Sequence, residues 1–254
     1  MKNIAVIGSN GMLGSDLVSY LSSINSITGI NRDNYSNLIG STFDCIINAN
    51  GNSKRFWANK HVLEDFTRST ISVYKTIVDF TCKIYIYISS SDVYENHTSS
   101  EFTLENQSIN PDNVSAYGLH KYLSECIVRN HNKYYLILRS SMILGKNHKK
   151  GPIYDILHKH PLYITRESKL QLITTKEVAR IIDFLLTNKI SREIFNMGGK
   201  GAVSFKNIDA KVRMPVTFMK KIEKQEYEMS VAKLGKIYPL ETSTNYLVEF
   251  LNNP

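Results

Sequence analysis

A fourteen-residue stretch near the start, "IAVIGSNGMLGSDL" (4–17), limits the folds open to this chain more than any other part of it. Four apolar residues in strand pattern run into three glycines, Gly8, Gly11 and Gly14, and then into an amphipathic helix. The first two glycines let the backbone turn tightly and come close to a diphosphate; the third lets the helix pack hard on the strand. The helix N-terminus, with unpaired N–H groups and a partial positive charge, then faces the phosphates. Three spaced glycines alone make only an ordinary turn. Their place between an apolar strand and an amphipathic helix is what favours a phosphate cradle, made of Gly8, Asn10, Gly11, Met12, Leu13 and Gly14.

The rest of the first half repeats this alternation. Runs at 4–7, 26–30, 44–49, 83–89 and 134–140 read as strands. Between them, Leu13, Leu17, Val18 and Leu21 line one helical face, and Phe66, Thr70, Val73, Ile77 and Phe80 another. Leu119, Leu123, Cys126 and Ile127 line a third. Such a pattern predicts an α/β fold, a doubly wound parallel sheet with helices on both faces and its site outside the carboxyl ends of the strands. After about residue 145 the pattern loosens, with a helix at 176–188, a strand and turn in "EIFNMGG", and short helices at 230–236 and 244–252. The expected division is a dinucleotide-binding domain over 1–145 and a small C-terminal, mainly substrate-binding lobe over 146–254, with 176–200 able to return to the first domain.

Composition narrows the function. The chain of 254 residues is 42% hydrophobic and 21% charged, enough for a sizeable core. Thirty-one basic against twenty-three acidic side chains give +8, spread along the chain except for "KNHKK" (146–150). A solvated surface or an attraction for phosphorylated ligands would each suit that charge. No nucleic-acid-binding motif surrounds it. Cys45, Cys82 and Cys126 lack metal spacing and read as reduced structural thiols, and His158 and His160 point to different sides of a helix, so no metal is expected. No segment is long enough to span a bilayer, and the opening apolar run is too short for a signal peptide; a cytoplasmic protein with no membrane partner is expected.

Three further stretches sit where such a sheet places a site. The second strand ends in "INRD", putting Asn31, Arg32 and Asp33 beside a cofactor ribose. An acidic residue there binds a ribose 2′-hydroxyl and an arginine suits a 2′-phosphate, so Asn31 and Arg32 lean towards NADP, with NAD still open through Asp33. Ala49 and Asn50, in "NANGNSKRF", follow the third strand on the cofactor side, although Asn-Gly is also plain turn chemistry. The fourth strand ends in "YISSSDVY" with hydroxyls at Ser89, Ser90 and Ser91, and "SAYGLHK" sets Tyr117 and Lys121 four apart on one helical face. In isolation, that last pair is either a solvated surface pair or a proton donor beside the charge that tunes it.

Together, "GSNGMLG", "YISSSDVY" and "SAYGLHKYLSE" resemble the extended short-chain dehydrogenase/reductases, the Rossmann-like family of nucleotide-sugar epimerases, dehydratases and 4-ketoreductases. The likeness continues weakly through "LRSSMILG", "LITTKEVARII" and "IFNMGG". It implies catalytic roles for Ser90, four residues before Tyr94, and for Tyr117 and Lys121, with Lys121 also holding the nicotinamide ribose. The chemistry agrees: a cation ~4 Å away at an effective dielectric of ~20 favours a phenolate by about 4 kcal/mol before desolvation is subtracted. Tyr117 is therefore expected to have a lowered pKa and to exchange a proton with a ketone oxygen that Ser90 hydrogen-bonds.

Several departures from the family stand out. Residues 32–43 are too few for the strand–helix unit that most relatives have there, so the adenine side of the pocket is expected to be abbreviated. Ser140 replaces a frequent proline. The Asp-Glu pair of the dehydratases is missing: Ser91 and Asp92 take its place as substrate-binding candidates, Asp92 being either a second acid/base or a turn cap. Lys146, Lys149 and Arg166 are candidates to meet a nucleotide diphosphate. The resemblance implies NADP(H)-dependent reduction of a 4-keto nucleotide sugar in deoxysugar or surface-polysaccharide synthesis, and is compatible with a homodimer. An epimerase with tightly bound NAD and a non-catalytic dinucleotide sensor are the alternatives.

Overall fold

The computed structural model describes residues 1–252. In chain order the first half comprises β1 (Asn3–Ile7), α1 (Met12–Leu21), β2 (Ser26–Ile30), β3 (Thr42–Asn48), α2 (Arg55–Lys60), α3 (Val62–Phe66), α4 (Ser72–Asp79), β4 (Thr81–Ser90), α5 (Ala116–His131) and β5 (Tyr135–Ser140). Then come β6 (Met142–Leu144), α6 (Pro152–Leu157), β7 (Lys169–Leu170), β8 (Leu172–Thr174), α7 (Thr175–Thr187), β9 (Glu193–Met197), β10 (Val203–Ser204), α8 (Ile208–Val212), β11 (Glu226–Tyr227), α9 (Ala232–Gly235) and α10 (Ser243–Asn252). The five strands expected in the first half are all present, their ends displaced by at most two residues.

Six strands form one parallel sheet in the order β2-β1-β3-β4-β5-β9. Successive strand residues face opposite sides, and the apolar runs use both. Val6, Ile47, Ile86 and Leu138 pack with Leu17 of α1 and Ile181 and Leu185 of α7. Their neighbours Ala5, Ile46, Tyr87 and Ile137 pack with Val73 of α4 and Val128 of α5. A sheet buried on both faces needs such continuous apolar strands, which explains why they lack a polar alternation. A second apolar core gathers Leu144, Ile153, Leu162, Leu170, Val203, Phe205 and Phe250 around the short strands β7, β10 and β11.

Two details differ from simple periodicity or complete it. The face running from Phe66 towards Phe80 lies on a helix that is continuous from Val62 to Asp79, with a π-turn over Thr67–Ile71 between α3 and α4, and Phe80 lies just beyond its end. Between β2 and β3 there is only a 3₁₀ turn, Ser36–Leu38, so β2 is the sheet edge and no outer strand–helix unit follows it. Tyr35 closes that corner, its ring edge-on to Phe80 and its hydroxyl donating to Asp79 at 2.9 Å.

Candidate active site

The chain reverses direction across the sheet between β1 and β3, and the glycine turn lies at that point. The N–H of Gly8 donates to Ile30 (2.8 Å), and that of Gly11 to the Gly8 carbonyl (2.9 Å). A Cβ on Gly14 would lie 2.1 Å from the Gly8 carbonyl oxygen, so α1 can press on the turn only with glycine there. No side chain caps α1 and no acidic residue occupies its first turn, which leaves the N–H groups of Met12 and Leu13 open to an anion. The side chain of Leu13 joins the core, so only its backbone can face a ligand. Asn50 backs directly onto Gly8, and Ala49 pairs with Ile7, placing both beside the cradle. These residues fit the diphosphate and ribose of a nicotinamide dinucleotide.

At the end of β2, Asn31 serves the turn. Its Oδ1 accepts from the N–H of Asp33 (2.8 Å) and its Nδ2 donates to Asn10 across the cradle (3.2 Å). Arg32 and Asp33 are exposed, and Arg32 makes no ion pair among the described residues.

The ends of β4 and α5 assemble the second half of the site. Ser115 caps α5 by accepting from the N–H of Gly118, and the N–H of Tyr117 donates to Asn59. A Cβ on Gly118 would meet the Asp92 carbonyl at 2.0 Å; this close approach brings Tyr117 beside Ser90 and Asp92. Ser90 donates to Asp92 Oδ2 at 2.9 Å. Asp92 Oδ1 in turn accepts from Arg55 and from the Tyr227 hydroxyl, each at 3.1 Å. Asp92 also accompanies Ser90 in a local cap, since its own N–H donates to Ser90 Oγ. It is thus both turn residue and hub of a polar cluster. Ser91 is buried at the start of that turn, and Ser89 points inward to Glu125 (2.5 Å).

The electrostatics overturn one expectation. The pKa of Tyr117 is raised, not lowered. Burial is the largest cause and the Asp92 carboxylate adds to it, against weaker opposition from Ser90 and Arg55. Lys121 donates to the Ile88 carbonyl (3.1 Å) and lies 5.1 Å from the centre of the Tyr87 ring. Its own pKa is lowered to about 8 by desolvation, partly offset by Asp65, Glu125 and Asp92. At neutral pH the site therefore holds a protonated phenol and, one helical turn along α5, a buried ammonium.

A cavity of about 300 Å³ opens in front of this cluster, lined by Arg55, Asn59, Asp92, His97, Ser115 and Tyr227 among others. His97 stacks on Tyr227 (3.8 Å) and the Arg55 guanidinium lies over the same ring (4.9 Å). Sequence reasoning singled out Asp92 here and missed Arg55, Asn59, His97 and Tyr227. It also missed Asp65, which accepts from Asn52 and pairs with His120 at 2.6 Å beneath Lys121. The adjacency of Arg55 to "NANGNSK" was the one available signal. Of the cations named for a diphosphate, Arg166 is tied to Asp209 (2.9 Å), and Lys146 and Lys149 are exposed.

The sequence model of the NAD-dependent epimerase/dehydratase family matches residues 4–198. No curated protein matches the sequence. Among solved structures, dTDP-4-dehydrorhamnose reductase of Bacillus anthracis, in complex with NADP, is similar at a TM-score of 0.81 and 16% identity, over 100% of this chain and 99% of that one. The Clostridium acetobutylicum dTDP-4-dehydrorhamnose reductase gives 0.78 and 16% over 98% of each chain. UDP-glucuronic acid 4-epimerase of Bacillus cereus, in complex with NAD and a fluorinated UDP-sugar, gives the same TM-score, identity and coverage. At such identities these likenesses bear on the fold alone.

Proposed function

The chain belongs to the NAD-dependent epimerase/dehydratase family, and on that premise we propose that it reduces a 4-keto nucleotide sugar with NADPH, a step suited to deoxysugar or surface-polysaccharide synthesis. The observation that carries this reading is Arg32, exposed and without an ion pair at the ribose end of the cradle while Asn31 is committed to the turn. An unpaired guanidinium there suits the 2′-phosphate of a cofactor that exchanges at each turnover. The neutral phenol of Tyr117 suits the same direction, since reduction needs a proton donor.

In this reading the cofactor, when bound on Gly8, Asn10, Gly11, Met12, Leu13, Gly14, Asn31, Arg32, Ala49 and Asn50, supplies hydride to the carbonyl carbon. Tyr117 gives its phenolic proton to the carbonyl oxygen. Ser90 turns its hydroxyl from Asp92 to that oxygen, and Asp92, held by Arg55 and Tyr227, keeps Ser90 in place. Lys121 stabilises the phenolate left behind and holds the ribose. Ser91 and Asp92 border the sugar. Residues 1–145 carry the cofactor, and 146–254 mainly the substrate, with 176–200 returning to the first domain.

Asp92 also favours a second reading. A carboxylate facing the cavity could act as a second acid/base, which an epimerase with retained NAD would use. The test is stoichiometry. Purified protein should carry little nicotinamide, and should consume one NADPH per product only when a keto sugar nucleotide is present. Tyr117→Phe should lower turnover by about 10²–10⁴-fold with cofactor affinity nearly unchanged. Full occupancy by tightly bound NAD, with sugars interconverted and no net NADPH loss, would move the assignment to epimerase.

A further inference from the structure

One basic feature of the chain takes no part in the site described above. The loop from Gly145 to Gly151, which contains "KNHKK", crosses the mouth of the glycine cradle as a strap. On one side it is fixed to the first turns of α1: the N–H of Lys146 donates to Asp16 (3.4 Å), Asn147 reaches Ser15 (3.5 Å), and His148 Nδ1 meets Met12 Sδ (3.4 Å). His148 is also held edge-on by Tyr154 and Phe250. On the other side Lys150 Nζ donates to Ser53 Oγ at 2.8 Å, in the loop that backs the cradle through Asn50.

Lys54, the next residue, lies close enough to oppose the charge of Lys150, which burial already disfavours. Among the described residues neither lysine makes an ion pair. Two like charges brought together where Lys150 meets Ser53, 97 residues away in sequence, repel each other unless an anion lies between them, and one of them is half-buried. The strap also touches Met12 at the start of α1, whose N–H groups are open to an anion.

We propose that Lys54 and Lys150 form a two-cation clamp for a diphosphate bound beneath the strap, with Ser53 handing Lys150 to the ligand as it arrives. The proposal rests on the nucleotide-sugar reading and goes beyond it by naming the groups that grip the doubly charged link. That link is present both in the dinucleotide cofactor and in a nucleoside diphosphate sugar.

The experiment measures binding, without turnover. Calorimetric titrations with NADPH, UDP, dTDP and inorganic pyrophosphate would compare the wild-type chain with Lys54→Gln, the double variant K54Q/K150Q, and Lys133→Gln, an exposed lysine at the opposite end of the sheet. Circular dichroism would check folding; Lys54 is exposed, so its single variant keeps the test open even if the double one unfolds. The double variant should bind one diphosphate class about tenfold more weakly or worse, Lys54→Gln should fall part of the way, and Lys133→Gln should stay within about twofold of wild type. High salt should weaken the wild type more than the double variant. A loss confined to UDP and dTDP places the clamp on the substrate, and a loss confined to NADPH places it on the cofactor. Affinities within about twofold of wild type for every ligand, or equal losses in Lys133→Gln, would overturn the clamp while leaving the NADPH stoichiometry, and so the reductase reading, untouched. A wild-type chain that bound none of the nucleotides would overturn both.

Discussion

At the scale of single residues, Tyr117 and Lys121 are displaced in opposite directions by the same cause. Burial disfavours whichever form is charged, so the phenol is held protonated and the ammonium is weakened. The spacing of "SAYGLHK" identified both residues; it could not give the sign, because a charge pair read from sequence omits desolvation. Lys121 then has a consequence for stability. Below pH 8 it is charged in both the folded and unfolded chain, and its burial costs stability in full. Between about pH 8 and 10.5 the native state releases the proton while the unfolded chain keeps it, so this cost is relieved as pH rises. Lys121→Met should therefore stabilise the protein at pH 7, on the order of 2 kcal/mol once the lost bond to Ile88 is counted. The advantage should shrink as pH approaches 10.5, while turnover is lost. Urea unfolding of both proteins at pH 7 and 10 measures it. A variant less stable than wild type at pH 7 would mean that Asp65, Glu125 and Asp92 compensate the ammonium more fully than this account allows.

At the scale of elements, α5 is the part that makes the site. Its capping residue Ser115, the bond from Tyr117 N–H to Asn59, and the contact of Gly118 with the Asp92 carbonyl together set the register of the phenol against Ser90. Gly118→Ala must push α5 off the Asp92 turn. Expected results are a stability loss of about 1–3 kcal/mol and a fall of roughly 10²-fold in turnover from the misplaced phenol. Affinity for the nicotinamide cofactor should barely change, since the cradle is built on α1. Turnover close to wild type would show that the register is set elsewhere. Sequence periodicity located α5 and the strand–turn–helix of the cradle, because both are short-range patterns. It did not find the buried face of α5: Leu119, Leu123, Cys126 and Ile127 are only partly buried, while Tyr117, His120, Lys121, Ser124, Glu125 and Val128 are buried, several of them through polar contacts that an apolar pattern does not register. It missed the π-turn at Thr67–Ile71, where Thr70 donates to the His120 carbonyl on α5: that is a contact between helices, with no local signature.

At the scale of the whole molecule, a buried polar network joins the sheet to the segments that close the cavity. Arg139 forks onto Glu125 at 2.7–3.2 Å and bonds the Tyr94 hydroxyl. Tyr94 donates to Asn196 of β9, whose amide reaches the carbonyls of Thr103 and Ser230. Arg139 is 2% and Glu125 0% exposed, so removing either charge strands the other without water. Glu125→Gln should cost about 3–5 kcal/mol, read as a drop in the urea midpoint. A loss below about 1 kcal/mol would mean that water or Tyr94 takes over the guanidinium.

By itself the sequence determined the parallel sheet, the glycine cradle, the absence of an outer strand–helix unit after β2, and the candidacy of Ser90, Tyr117 and Lys121. Each is encoded within a few residues, by apolar alternation, glycine spacing, loop length or a four-residue step along a helix. Only the tertiary structure decided that Tyr227 and Arg55 converge on Asp92 from 135 and 37 residues away, that Lys150 meets Ser53, and that the phenol stays protonated. Those outcomes depend on which surfaces pack together and which groups lose their water, and neither is written in the local order of residues.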